Sequence, residues 1–321
     1  MLRLIFSLCL AISITDAFST PFQLLRQSNV INPSTGDCEP AISDTTNKDK
    51  TLCIILPQLG DFDCGEYLEQ IIAVEKELEA ASIDLRVISI GNAISARKFS
   101  DFIGLDIAKL RISPDASVHY NLNLHQGPHW DVPVPAFLPL QVKRRVNSWT
   151  NYMAMCAGIS AKGTLPEILR GYVGDKAAPE RLRKDSIVTA GPIKITGTRK
   201  VNIGSGLEYE QSWKDERGYQ RPVELATVRL RNMVEVLSNW NEYVPDDAHL
   251  AIRGATYIFD KSGNLEYEWR TPGVLTYSES MRRPLMFLEK YIGSEKAMNP
   301  LGLDDTKARE RWNTNKDLGI L

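Results

Sequence analysis

The chain has 321 residues, enough for one large domain or two modest ones, and either could bury a sizeable core. Apolar residues make up 43%, charged residues 24%, and the formal net charge is -2, a balance that excludes a disordered chain and a polyanion-binding surface, so nucleic acid is not an expected partner. Cysteines stand at positions 9, 38, 53, 64 and 156 with no CxxC pair and no Cys/His cluster at metal-ligand spacing. The expectation is therefore no metal site and mostly reduced thiols.

The N-terminus reads as an address label. Arg3 and the apolar run Leu4 to Ile14 have the proportions of a signal peptide and are too short for a membrane span, with cleavage expected after Ala17. Phe18 then leads a stretch, Ser19-Thr20-Pro21 onward, that contains Arg26 and no acid before Asp37. Together they resemble the two-part plastid-targeting leader of algae with complex plastids, an ordinary secretory signal being the alternative. On this reading residues 1–17 are a signal peptide and 18–48 a transit peptide outside the fold, and no stable membrane insertion follows removal of the leader.

Thr51 to Leu56 is a nearly continuous apolar run, as expected of a strand buried on both faces, which makes Cys53 a core residue. Residues 64–81 place Tyr67, Leu68, Ile71, Ile72 and Leu78 at helical period, and Asp84 to Gly91 is a second strand. A strand–helix–strand path implies parallel pairing, and puts the start of the first helix at the C-terminal edge of the sheet. A short amphipathic helix is expected over 94–104, a strand from Arg111 ending in a turn at Asp115, and a brief helix from Ala116 to Asn121. Four prolines in residues 125–140 open a long, partly helical insertion, about 125–247, whose clearest helix is Val223 to Trp240 with Leu225, Val228, Leu230, Val234 and Leu237 on one face. Trp130, Trp149, Trp213 and Trp240 are expected to pack the insertion onto the core. Gly254–Phe259 and Leu265–Trp269 form a hairpin around Gly263, a closing helix runs from Ser278 to Tyr291, and residues 293–321 are a loosely attached extension. The order βαβα, insertion, ββα gives an α/β fold of the thioredoxin-like type, spanning 49–292.

Cys64 follows a buried strand and opens an amphipathic helix, where the helix dipole and free amides favour a thiolate. Asp61, Asp63 and Glu66 surround it in sequence and oppose ionisation. Cys156, flanked by Met153, Met155 and Ala157, reads as a packed helix position, although it is the one internal candidate for a resolving thiol. His119, His125, His129 and His249 are scattered and are assigned loop or surface roles.

The segment Pro57-Gln58-Leu59-Gly60-Asp61-Phe62-Asp63-Cys64 resembles the Pro-x-x-x-Thr-x-x-Cys turn of peroxiredoxins, with Asp61 in the place of Thr, and Arg253-Gly254-Ala255-Thr256-Tyr257-Ile258-Phe259-Asp260 resembles the run that follows their arginine. Leu56 to Asp63 and Glu224 to Met233 are similar to the alkyl hydroperoxide reductase/thiol-specific antioxidant (AhpC/TSA) proteins of cyanobacteria and plastids, a likeness that extends over roughly residues 50–292. The resemblance implies a thiol-dependent peroxidase in which Cys64 attacks a hydroperoxide, Arg253 steadies the thiolate and the leaving oxygen, and a protonated Asp61 would stand in for the hydroxyl. It also implies a thioredoxin- or glutathione-type reductant and no bound cofactor. Related reductases carry Cys-x-x-Cys at this turn, and Asp61 replaces the first of those cysteines, so the local disulfide cannot form. The contrary expectation is a non-catalytic thioredoxin-fold module that binds a plastid protein through Trp149, Tyr152 and Lys143-Arg144-Arg145 of the insertion.

Overall fold

The computed structural model describes residues 19–43, 47–137, 139–190, 193–196, 199–203, 207–211 and 218–318. Residues 1–17, assigned to the signal peptide, and Trp213 lie outside the described residues. The first described element is a capped helix: Thr20 accepts the amide of Gln23, the Gln23 side chain accepts the amide of Thr20, and Pro21 sits in the first turn of α1 (Pro21–Gln27). β1 (Asn29–Ile31) and β2 (Cys38–Pro40) pair antiparallel behind it. This differs from the expectation that residues 18–48 stand apart from the fold. Leu25, Val30, Ala41 and Ile42 are buried together with Cys53, Ile55, Tyr257 and Phe259, covering one face of the sheet that would otherwise be wet.

β3 (Lys50–Gln58), α2 (Cys64–Ala73), α3 (Glu75–Ala80) and β4 (Ile83–Ile90) make the first crossover, and α4 (Ala93–Ile103), β5 (Leu110–Ile112) and α5 (Ser117–Asn121) continue it. β3 pairs parallel with β4 and β4 with β5, as the βαβ pattern requires. The helix expected over 64–81 breaks at Val74, where φ of -114° ends α2 and starts α3. Both helices still bury their apolar stripe, with Leu68, Ile71, Val74 and Leu78 all in the main core. Full burial of each such side chain is worth about 1.5–3 kcal/mol.

The insertion contributes α6 (Leu140–Cys156), α7 (Thr164–Val173), the antiparallel pairs β6 (Ile187–Ala190) with β7 (Ile193–Thr196) and β8 (Arg199–Ile203) with β9 (Leu207–Gln211), then α8 (Glu224–Ser238) and α9 (Trp240–Tyr243). Tyr152, Met155, Val236 and Tyr243 join the main core, so the insertion is packed against it. Trp149 packs at a tilt against Trp240 with centroids 4.6 Å apart, whereas Trp130 is exposed. The buried face of α8 is not the stripe expected from its apolar residues: Leu225, Val228, Arg229, Asn232 and Val236 point inward while Leu230 and Leu237 are exposed. That face carries Arg229, buried in an ion pair with Glu66.

β10 (Ala255–Asp260) and β11 (Leu265–Arg270) complete a seven-stranded sheet in the order β11-β10-β3-β4-β5-β1-β2, with the hairpin turning at Gly263, φ +81°. This is a thioredoxin-like arrangement with two added edge strands. The closing helix expected from Ser278 to Tyr291 is not formed as one piece; helical structure starts only after Pro284, as a single 3₁₀ turn and α10 (Glu289–Ile292). Proline lacks an amide donor and disfavours helical backbone in the residue before it. The C-terminal extension, α11 (Ser294–Met298) and α12 (Thr306–Asp317), is docked rather than loose. Arg283, fully buried, bonds the Met298 carbonyl and Asp305 and stacks over Trp312.

Candidate active site

The turn after β3 presents Asp61, Asp63 and Cys64 in succession. The amide of Asp61 bonds the Gln58 carbonyl at 2.7 Å, which tightens the turn, and Cys64 becomes the first residue of α2. Gly60 lies so close to the insertion that an added Cβ would sit 2.3 Å from Val244. The insertion is therefore seated directly on this turn. Arg253 arrives from the other side, immediately before β10. There Gly254 is required by close packing, because a Cβ would lie 2.0 Å from the carbonyl oxygen of Ile55 on the neighbouring strand.

Topology thus brings the three expected residues, Cys64, Arg253 and Asp61, to one edge of the sheet. Arg253 is fully buried, its Nη1 2.6 Å from Asp61 Oδ2, and its Nε donates to the Ala251 carbonyl at 3.2 Å. Its guanidinium also lies over the ring of Tyr152, 5.6 Å from the centroid. Burial disfavours the cation, but Asp61 outweighs it and holds the guanidinium ionised. Asp61 in the threonine position is consequently an ion-pair partner of Arg253.

Cys64 is 1% exposed, and its Sγ donates to the Gln58 carbonyl at 3.5 Å. Burial first, then Asp63 and Asp61, push the thiol pKa well above its usual range against the opposing field of Arg253. Desolvation and the two acids outweigh the favourable position at the helix start. Asp63 is also buried, and burial together with Asp61 pushes its carboxyl well up, towards the neutral form. Its Oδ2 accepts the amide of Leu275, a residue at φ +57°.

A cavity of about 10 Å³ adjoins Cys64, lined by Asp63, Tyr67, Thr256, Thr271 and Tyr277 among other residues, with a mostly apolar surface. That is room for about one water. The segment 271–277 walls it off. Thr271 donates its amide to Gly254, Gly273 is pressed against Ala161 and Thr164, and Thr164 Oγ1 donates to the Val274 carbonyl at 2.8 Å.

Several neighbours of the site were not legible as such. Tyr152, expected to face a partner, is buried beneath Arg253, and Phe62 packs on its edge at 5.7 Å. Cys156 is close enough to feel Asp61, Arg253 and Asp63, and burial pushes its thiol up to about 12. His119 is buried rather than on the surface: Nε2 donates to the Leu56 carbonyl at 2.8 Å, and burial lowers its pKa to about 4, leaving it neutral. Below α2, Glu66 is fully buried yet held down at about 2, because Arg229 at 2.7 Å and Arg181 at 3.3 Å outweigh its desolvation. Tyr277 donates to the same carboxylate at 2.9 Å and stacks on Tyr67. The only sequence signal for this cluster was Arg229 standing at helical spacing among the buried apolar residues of α8.

A family model for AhpC/TSA antioxidant enzymes matches residues 70–273, more than half of the chain. The chain belongs to the AhpC/TSA antioxidant enzyme family. Membership makes it a thioredoxin-superfamily protein of the thiol-dependent antioxidant oxidoreductase kind, a group that acts on peroxides with thiol reductants. The match includes Cys156 and Arg253 and begins just beyond Asp61 and Cys64. No curated protein and no solved structure matches the chain.

Proposed function

We propose that this AhpC/TSA member reduces hydroperoxides through the single cysteine Cys64, with Arg253 as the electrostatic anchor. The observation that carries the reading is the convergence of a helix-initiating thiol and a fully buried guanidinium at the C-terminal edge of the sheet, bridged by Asp61. In the reaction the Cys64 thiolate attacks the terminal oxygen of ROOH. The S–O bond forms as the O–O bond breaks, sulfur is oxidised to a sulfenic acid, and RO⁻ takes a proton to leave as the alcohol. A donor thiol then displaces water to give a mixed disulfide, and a second thiol returns Cys64 to its reduced state as the donor leaves as a disulfide. Arg253 stabilises negative charge on sulfur and on the departing oxygen.

The cavity beside the sulfur is too small for peroxide plus its displaced water, so turnover requires the 271–277 wall to move. Asp63 holds that wall through Leu275, and left-handed backbone at a leucine stores strain there. A second reading draws on the same burial: a sealed thiol of raised pKa suits a thioredoxin-fold module that has no peroxidase activity. Purified protein treated with hydrogen peroxide and then a sulfenic-acid trap separates the two. The peroxidase reading expects label on Cys64 that disappears in Cys64→Ser. Label absent from wild type, or retained in the variant, overturns it. Delivery to a plastid by the N-terminal leader is part of the proposal, tested by whether a fusion of residues 1–48 carries a fluorescent protein to the plastid.

A further inference from the structure

On the outer side of the wall that covers Cys64 lies an open cleft of about 710 Å³, and Thr271 lines both this cleft and the small cavity at the thiol. Gly158, Ala161 and Pro272 line it beside the polar Asn123 and Ser160. Lys162 and Arg270 bring positive charge to the lining, and no acid lines it. Arg270 is partly committed, to Glu268 at 2.5 Å and to the Leu122 carbonyl at 2.9 Å. Lys162 is exposed and has no ion-pair partner among the described residues. The cleft is tied to the site from the other side too, since His125 bonds the Ser160 carbonyl through its ring at 2.6 Å and accepts the backbone amide of Arg253 at 2.7 Å.

Hydrogen peroxide needs no such volume. An organic hydroperoxide does, and a lining that combines apolar surface with two cations and no acid selects one with a carboxylate. We infer that this cleft is the entry subsite for a carboxylate-bearing organic hydroperoxide, whose acid is held by Lys162 and Arg270 while its peroxide reaches Cys64 past Thr271. The inference rests on the peroxidase reading above and adds its substrate class. A cleft of this size suits a ligand of tens of heavy atoms, and an unpaired surface ammonium loses little by gaining a carboxylate.

The test uses the full-length protein, linoleic acid hydroperoxide and its methyl ester, which differ only in the charge. Wild type is expected to favour the acid in kcat/KM, and Lys162→Glu to lower the acid-to-ester ratio about ten-fold or more, the equivalent of about 1.4 kcal/mol or more of lost discrimination. A ratio that does not change in the variant overturns the assignment. So does a KM for glutathione that rises in the variant while the acid-to-ester ratio stays put, because the cleft would then belong to the reductant. Binding of plain linoleate, followed by tryptophan fluorescence, separates this inference from the reading beneath it. Linoleate that binds wild type at least ten-fold tighter than Lys162→Glu, with neither hydroperoxide consumed, sinks the peroxidase and leaves an anion cleft. Equal linoleate binding by the two proteins sinks the cleft whatever the turnover.

Discussion

Two buried charge clusters flank the first turn of α2, and they are balanced differently. Glu66 has two guanidiniums and a tyrosine hydroxyl around one carboxylate, and its pKa is held down at about 2. Three and five residues earlier, Asp63 and Asp61 face one guanidinium, Arg253, and both the Asp63 carboxyl and the Cys64 thiol are pushed up. The first cluster joins α2 to α8 and to the segment before β6, so a fully compensated charge serves as a fastener for the insertion. In the second, one guanidinium pairs with Asp61, and Asp63 is pushed towards its neutral form. The thiol beside it is held in its neutral form.

The largest effect that would break this contrast is expected at Glu66. Glu66→Ala strands Arg229 and Arg181 in the interior and should cost about 3–5 kcal/mol in urea unfolding. A loss below 1 kcal/mol would mean that the cluster does not fasten the insertion. Arg253→Gln comes next, at about 3 kcal/mol, since it leaves Asp61 without its cation, and it should abolish sulfenic-acid labelling at Cys64 as well.

The pH dependence separates the clusters by sign. Glu66 is depressed in the folded protein, so its contribution is complete above the unfolded value of 4.5 and is lost as pH falls towards 2, about 3 kcal/mol over that window. Asp63 is raised, so the folded protein binds the extra proton and stability falls as pH climbs from 3.8 through its folded value. Asp63→Asn, which keeps an acceptor for Leu275, should therefore stabilise the protein by about 1 kcal/mol at pH 7, with the gain disappearing near pH 3. Thermal melts of both proteins across that range check the sign, and a gain that grows in acid would reverse the assignment of the two clusters. The smallest effect is kinetic: by loosening the wall, Leu275→Gly should raise the rate of Cys64 modification by a small thiol reagent about two- to five-fold.

The crossover β3–α2–β4 and the hairpin were readable because each is local. A continuous apolar run, a helical period and a Gly-containing turn report themselves within a dozen residues, and Pro57 to Cys64 and Arg253 to Asp260 carry family spacing. α1, β1 and β2 were missed because a short acid-poor segment suits a targeting leader as well as an edge strand; only burial of Val30 and Ile42 against the sheet distinguishes them. α12 was missed because its mean composition is polar, and its attachment depends on Trp312 meeting Arg283 from a distant turn. Glu66, Arg229 and Tyr277 are charged or polar positions whose burial follows from one another's presence.

From the linear chain came the order of strands and helices, the place of Cys64 at a helix start and the arrival of Arg253 before a hairpin, since hydrophobic period and turn chemistry act between near neighbours. Whether the sulfur is open or sealed, which carboxyl takes the guanidinium and which arginines rescue Glu66 were decided by the tertiary structure. Those outcomes depend on dielectric and on distance between groups far apart in the chain, and desolvation exists only once the surrounding layers are in place.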